Sequence, residues 1–550
     1  MTDDIGFSSP LPPRLADAMT VIQNLRKWRR RGVSFGAGLL AALSLAPFYA
    51  LPLLAVGFSL FILLLDGAAK GEKPIRTAAS IGWWFGFGYF LLGIYWMAFS
   101  FFVQADAFAW MAPFAVTGMP AFLGLFSAGA ATLSMAFWLP GWRRVVVFTI
   151  AWVLFEYARG HILTGLPWNL VGQTLAGTAV GAQTAAWWGA YGLSFVAILL
   201  ATAPIATLSA AQSWWKGSAA SVAGLALLFA VGAARLALMP AEDHDDVFVR
   251  IVQPNIPQRE KIDQTLWSRN FERHLDLSKG INRSSARVFV IWPENGVPVL
   301  DEVPDALVAV SEALPRNAVL IAGSVRRQNI EGGGSRDYRY FNSIAVIPET
   351  PSGRRAVAHY DKHHLVPFGE YLPLKNVLRA IGLAQLAPFE DGFTPGAGPR
   401  TMNAGGPSFS PLICYEAIFP GAMHPKDDRP EWLLTVTNDA WFGDTSGPRQ
   451  HLDQARLRSI ETGLPMARAA NTGVSALIDG RGVYMSRLKL YESGAIDAPL
   501  PKALNPTLYA QLGDLIFGLM VLGGVIFCQL WRKYVEIEKN SHNLQSSRAI

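Results

Sequence analysis

VFVIWPEN, residues 288–295, is an apolar run rich in β-branched residues that stops abruptly at a proline, an acid and an amide. The same shape returns in VFVRIVQPN (247–255), AVLIAGS (318–324), FNSIAVI (341–347), LICYE (412–416), LLTVTND (433–439) and VSALIDG (474–480). Short apolar runs bounded by polar residues read as strands buried on both faces. Helical periodicity fits some of the sequence between them, such as the run from Arg456 to Ala470. Strands alternating with helices predict a layered α/β domain, and the 243–500 segment is long enough to fill one core. Ligands of such domains gather beyond the carboxyl ends of the strands. Glu294, Cys414 and Asn438 each stand at such an end, on three different strands.

The rest of the chain is of another kind. Hydrophobic residues make up 51% and charged residues only 16%, and the mean hydropathy is +0.26. A helix of about 20 apolar residues crosses a bilayer. Uncharged runs read as spans at 33–48, 51–67, 80–103, 113–138, 145–158, 184–208, 218–239 and 510–531, about eight in all, with 145–158 the shortest. The expected organisation is a transmembrane bundle of about seven helices over 1–242, an α/β domain over 243–500, and a last span with a cytoplasmic tail over 501–550.

Flanking charge orients these spans. Arg26, Lys27, Arg29, Arg30 and Arg31 precede the first, Lys70, Lys73 and Arg76 follow the second, and Arg143 and Arg144 follow the fourth. Lys216 follows the sixth, and Arg532 and Lys533 follow the last. The connections after spans one and three carry no Lys or Arg, and the one after span five carries only Arg159. By the positive-inside rule both termini lie in the cytoplasm and 243–500 lies outside it. The net charge of +6 then reflects cytoplasmic anchoring, and no nucleic-acid partner is inferred from it.

Cys414 is one of only two cysteines; the other, Cys528, sits in the last apolar run. Neither a disulfide framework nor a thiolate metal site can be built from them. Cys414 is therefore either a small buried hydrophobe or a nucleophile. A thiol nucleophile needs a base, a nearby positive charge and donors for the oxyanion. One assembly is papain-like, with His363 or His364 as base; another pairs Cys414 with Glu294 as base and Lys362 as cation. Adjacent histidines in extended chain point to opposite faces, so His363 and His364 cannot both serve one site. Residue types alone leave both assemblies open.

WPEN (292–295), YDKHHLVPFGEYLP (360–373) and CYEAIFP (414–420), in this order, resemble the Glu–Lys–Cys signatures of the nitrilase superfamily. FEYARGHILTGLPWNLVGQ (155–173), VQPNIPQ (252–258) and TNDAWFGDTSGPRQHLDQARLRSIETGLPMARAANTG (437–473), set beside an apolar bundle, narrow the resemblance to the apolipoprotein N-acyltransferase family, over nearly the whole chain. The resemblance implies a transmembrane α-helical bundle joined to a nitrilase-like αββα sandwich. It implies Glu294 as general base, Lys362 as the stabilising cation and Cys414 as nucleophile, supported by Glu370, Tyr415 and Glu416. The implied reaction moves an acyl chain from a membrane phospholipid to the N-terminal amine of a diacylated apolipoprotein, through a thioester and with no metal or redox cofactor. The implied location is a bacterial inner membrane, with the catalytic domain on the periplasmic side. In one departure, Ile262 stands where many members carry Trp after the lysine matching Lys261.

Lipid must reach such a site. Leu374, Val377, Leu378 and Ile381 fall at helical spacing in 372–389, which reads either as a helix packed on the domain or as an arm dipping into the outer leaflet. Glu156 and Arg159 lie one turn apart near the end of span five, where they pair with each other or Arg159 meets a lipid phosphate. Two rival functions remain at this level. One is a membrane-tethered amidase that gives its acyl-enzyme to water. The other is a transporter with an outer binding module, against which the lack of clear internal repeats weighs.

Overall fold

The computed structural model describes residues 12–139, 141–208, 214–281, 285–330, 337–373 and 392–547. The chain divides into two compact units, neither of them continuous in sequence. One comprises 1–95, 113–235 and 512–550; the other comprises 96–112 and 236–511.

The first unit is helical. Among the described residues, four helices, or five if the broken pair Pro74–Gly93 and Tyr95–Phe102 counts as one, are long and apolar enough to cross a membrane. The four are Leu51–Ala69, 105–136, Ala185–Leu208 and 215–238. The expected spans at 33–48 and 145–158 correspond to helices Lys27–Ala42 and Trp142–His161, which carry several charges each. The last expected span corresponds to a shorter apolar stretch, Leu515–Trp531. An aromatic cluster of Phe58, Phe61, Phe85, Phe148 and Trp152 fills the interior with edge-on and stacked rings. Arg144 is buried there against Asp66 at 2.7 Å.

In the second unit the described strands form two sheets. The first contains β1 (Asp243–Gln253), β2 (Arg287–Trp292), β3 (Ala318–Asn329), β4 (Tyr338–Thr350), β5 (Gly353–Arg354), β6 (Ala358–Asp361) and β12 (Gly494–Pro501). Its order is β12-β1-β2-β3-β4-β5, with β6 paired to β4. The second contains β7 (Phe409–Ile413), β8 (Trp432–Thr437), β9 (Met466–Ala470), β10 (Ala476–Ile478) and β11 (Tyr484–Arg487), in the order β11-β10-β9-β8-β7.

Side chains alternate between the faces of each strand, and this alternation builds three layers of core. Phe289 and Ile291 of β2 and Val319 and Ile321 of β3 face the second sheet, where they meet Phe409, Ile413, Trp432, Leu434 and Val436. Val288, Val290 and Trp292 point the other way, with Val310 and Leu314 from beneath the helix Pro304–Ala313. Leu412, Leu433 and Met466 point outward from the second sheet onto Leu452 and Ala455 of the helix Ser446–Thr462. The layers thus run helix, sheet, sheet, helix.

Two readings of the sequence need correction. The helix expected over 456–470 begins at Ser446 and ends at Thr462, and β9 follows it. Thr445 caps its start, accepting a hydrogen bond from the Gly447 N–H, and Gly463 ends it in the left-handed region at φ +73°. The stretch 80–103, expected to be one span, breaks at Ile94, and Trp96–Ala112 packs within the unit of the sandwich. There Trp96 donates to Gln450 at 3.2 Å and stacks edge-on against Phe442, while Arg259 donates to the carbonyls of Phe102 and Val103.

Candidate active site

Three strand ends converge on one place. β2 stops at Trp292, and Pro293 then turns Glu294 inward. The turn is possible because Gly323 of β3 lies beneath it; a Cβ there would stand 2.4 Å from the Pro293 carbonyl oxygen and 2.7 Å from Glu294 Cα. Lys362 directly follows β6, its N–H bonded to the Asn342 carbonyl at 2.8 Å. Cys414 directly follows β7 and takes φ +52°, a left-handed conformation that costs a side-chain-bearing residue about 1–2 kcal/mol.

The charges interlock. Lys362, only 1% exposed, holds its Nζ 2.9 Å from Glu370 Oε1 and 3.7 Å from Glu294 Oε1. Asn342 bridges the two acids, its amide nitrogen donating to Glu294 Oε1 and to Glu370 Oε1 at 2.7 Å each. Glu370 Oε2 accepts from the Val366 N–H. Burial works to lower the Lys362 ammonium, but Glu370 and Glu294 outweigh it and hold it above the ordinary lysine value. The Cys414 thiol is pushed up by burial and by Glu294, with Lys362 pulling the other way. A thiol so placed keeps its proton until a base takes it, and Glu294 is the carboxylate whose charge it feels most.

Lys261 adds a second cation. It lies in the short helix Gln258–Ile262, after VQPNIPQ, and donates to the Glu294 carbonyl at 2.8 Å. Burial lowers it to about 8 against the charges of Glu294 and Cys414. Ile262 beside it is 46% exposed.

Glu416 braces the site from behind. Its Oε2 accepts from the Ile413 N–H at 2.7 Å, and its Oε1 accepts from the His363 N–H and the Tyr360 hydroxyl at 2.9 Å each. These bonds tie the end of β7 to the loop that carries Lys362. Burial would raise Glu416, but His363 and the backbone donors outweigh it and hold it low. His363 Nδ1 is taken up by Glu416 and Tyr360, and the His364 ring stacks on Phe419 with Tyr415 alongside. The two histidines thus face different partners, and the papain-like assembly finds no support in their placement.

On the other side of Cys414 lies a buried relay. His451, on the helix Ser446–Thr462, reaches the Cys414 carbonyl oxygen through Nε2 at 3.1 Å. Its Nδ1 stands 2.9 Å from Asp439 Oδ1 and 3.2 Å from Arg468 Nη2. Arg468 also donates to Asp439 Oδ2 at 2.9 Å. Burial would raise Asp439, but Arg468 and His451 overcome it and hold the carboxyl at about 2; burial and Arg468 push His451 down.

Of the residues expected from sequence, the structure brings together Glu294, Lys362, Cys414, Glu370, Tyr415 and Glu416. Asn438 is engaged elsewhere, with Gln258 and Asn471. Arg159 does not offer an open contact to a lipid phosphate: it is 3% exposed, and its guanidinium donates to the carbonyls of Leu166 and Trp168 and lies over Phe90. Glu156 accepts from the Trp152 indole and the Val171 N–H. Leu374, Val377, Leu378 and Ile381 lie outside the described residues. Lys261, Asn342, Asp439, His451 and Arg468 escape a reading of the sequence for roles. Asn342 is a polar residue inside an otherwise apolar strand, which is the signal that marks it.

A sandwich of this layering, with an acid, a lysine and a cysteine at adjoining strand ends, defines a carbon-nitrogen hydrolase fold, and the carbon-nitrogen hydrolase family model matches residues 248–507. The model for the apolipoprotein N-acyltransferase N-terminal domain matches residues 37–203. The apolipoprotein N-acyltransferase of Rhodopseudomonas palustris is 39% identical over 505 residues, covering 90% of this chain and 94% of its own. That of Bradyrhizobium diazoefficiens is 40% identical over 510 residues, covering 91% and 94%. The chain belongs to the apolipoprotein N-acyltransferase family. A solved CN-hydrolase superfamily protein from Xanthomonas campestris covers 49% of this chain and 94% of its own at 18% identity, with a TM-score of 0.31.

Proposed function

We propose that this enzyme transfers an acyl chain from a membrane phospholipid to the N-terminal amine of the diacylglyceryl-cysteine of an apolipoprotein, through a thioester on Cys414. The observation that carries this reading is the convergence of Glu294, Lys362 and Cys414 at three strand ends, with Lys362 buried between two carboxylates, in a chain of this family.

Glu294 takes the thiol proton, and the thiolate attacks the ester carbonyl of the phospholipid. Lys362 and a backbone N–H hold the oxyanion. The tetrahedral adduct collapses, and the departing glycerol oxygen receives the proton from Glu294. The acceptor amine then attacks the thioester, Glu294 accepts its proton, and the amide leaves as Cys414 recovers its thiol. Glu370, Asn342 and Lys261 hold Lys362 and Glu294 in place, and Tyr415 and Glu416 support the turn that carries Cys414.

In the membrane unit we propose eight crossings. Lys27–Ala42, Trp142–His161 and Leu515–Trp531 join the five apolar spans, which is supported by the pairing of Arg144 with Asp66 inside the bundle. The alternating Lys and Arg flanks support cytoplasmic termini and a sandwich on the periplasmic face of an inner membrane. The 1–242 bundle, the 243–500 catalytic domain and the 501–550 tail are the working divisions of this layout, and 372–389 is a candidate arm toward the lipid.

The test is intact mass after incubation with phospholipid. Cys414 should gain one acyl chain and release little free fatty acid. A diacylated lipopeptide with a free amine should discharge it, while an N-acetylated one should not. Steady release of fatty acid without any amine would favour the alternative, a membrane-tethered nitrilase-type hydrolase.

A further inference from the structure

We propose that His451 is a positioning residue that sets the plane of the Cys414–Tyr415 peptide and so aims the Tyr415 N–H at the oxyanion. The proposal rests on the acyl-transfer reading above and adds a residue to it.

Cys414 holds a left-handed conformation immediately past the end of β7, which stops at Ile413. Two side chains grip the turn. Glu416 takes the N–H of Ile413 on one side, at 2.7 Å, and His451 Nε2–H donates to the Cys414 carbonyl on the other, at 3.1 Å. In a trans peptide the C=O and N–H point in opposite directions, so holding Cys414 O on His451 turns the Tyr415 N–H away from the helix Ser446–Thr462.

The imidazole is itself immobilised. Asp439 and Arg468 meet Nδ1, and the Thr437 hydroxyl donates to Asp439 Oδ1 at 3.2 Å. His451, Asp439 and Arg468 are each no more than 1% exposed. Burying an ion pair and an imidazole costs desolvation that apolar side chains of the same volume would not incur. Through His451 Nε2 the relay reaches the carbonyl oxygen of the nucleophile's own residue. An arrangement that served packing alone would have no reason to converge there.

The experiment compares two reactions of Cys414 in the full-length protein in phospholipid nanodiscs. Acylation from phospholipid passes through an oxyanion; alkylation by iodoacetamide is a displacement at carbon and does not. His451→Asn keeps an amide where Nδ1 meets Asp439 but is too short to reach the carbonyl. His451→Gln extends its amide N–H to the Nε2 position. With the peptide freed, His451→Asn should acylate roughly 10–100-fold more slowly, mainly in kcat and little in KM, while its alkylation rate stays within about twofold of wild type. His451→Gln should recover most of the acylation rate. Acylation of His451→Asn at the wild-type rate, a parallel loss of both reactions, or no difference between Asn and Gln would each overturn the proposal. Absence of any acyl adduct in the wild type would instead strike at the acyl-transfer reading.

Discussion

Lys362 sits closer to Glu370, at 2.9 Å, than to Glu294, at 3.7 Å, and this order decides what each carboxylate can do. Glu370 takes most of the ammonium's attention, and in the proposed mechanism this leaves Glu294 for the proton of Cys414. Glu370→Gln should let Lys362 close on Glu294 and weaken it as a base, slowing acyl-adduct formation about 10–100-fold with little loss of folded protein. Asn342→Leu, which loses both amide bonds, should do the same. Because the two residues share one network, the double variant should be less impaired than the product of the single effects. A double variant impaired by the full product would separate them into independent roles. Lys261 offers a test by pH. Its pKa falls to about 8 in the fold and returns to the ordinary lysine value on unfolding. Between those values the unfolded chain binds a proton that the folded chain has released, so this residue's contribution to stability rises with pH across the window. The apparent Tm of wild type relative to Lys261→Met should therefore climb from about pH 8 to the ordinary lysine range, and a flat difference would count against a buried, titrating ammonium. Glu294, Lys362 and Cys414 are legible in sequence because each follows a strand inside a quotable motif. Lys261 and His451 are not, since a lysine on a short helix and a histidine on a longer one look like any solvated residue until their neighbours are known.

At the scale of elements, the helix Ser446–Thr462 and β9 read in sequence as one helical run because their apolar spacing does not break at the boundary. The stop signal is present in Gly463, Leu464 and Pro465, a helix-ending glycine followed by a proline. β9, a middle strand of its sheet, reads MARAA, with no β-branched residue to mark it. β12 carries two prolines, which suit an edge strand and hide it from a strand search. The seven runs that the sequence does reveal are those whose residues are apolar on both faces, as sheets buried between layers require. Gly463 can be tested directly. Alanine there would have to hold φ +73° and place its Cβ 3.0 Å from the Asn505 carbonyl oxygen. Gly463→Ala should destabilise the unit by about 1–2 kcal/mol, a fall in apparent Tm of roughly 2–8 °C, while Cys414 in the surviving folded protein acylates normally. A Tm indistinguishable from wild type would show that the turn relaxes without strain.

Over the whole molecule, the layered domain is legible from strand runs alone, whereas the helical unit is only partly so. Among the described residues, length and composition certify four or five spans, because Lys27–Ala42 and Trp142–His161 carry charge that a hydropathy count penalises. The structure shows Arg144 absorbed by Asp66, a pairing that no one-dimensional count can see. The proposed orientation makes a plain prediction. In a variant with Cys414 and Cys528 replaced, single cysteines in the 69–79 loop should resist an impermeant thiol reagent in intact cells, and cysteines on the surface of 243–500 should react once the outer membrane is permeabilised. Labelling of the opposite sides would reverse the topology and remove the lipoprotein substrate from reach.

Trp96 and Gln450, hydrogen-bonded in the same compact unit, are 354 residues apart in the chain. At a translation rate of about 5–20 residues per second, Trp96 leaves the ribosome some 20–70 seconds before its partner exists. Until residues 442–450 are made, Trp96 lacks Phe442 and Gln450, and Phe99 lacks the backbone at Gly443 that it rests on in the finished unit. Nascent chains halted before residue 446 should therefore hold the 96–112 segment in a protease-sensitive state, and chains released after it should protect the same segment. A truncated chain beginning near residue 236 would meet the reverse difficulty, with Phe442, Gly447 and Gln450 presenting an unfilled slot. Supplying a 96–112 peptide in trans should raise its yield of folded protein, so the enzyme has a joint in its order of manufacture that its domain diagram does not reveal.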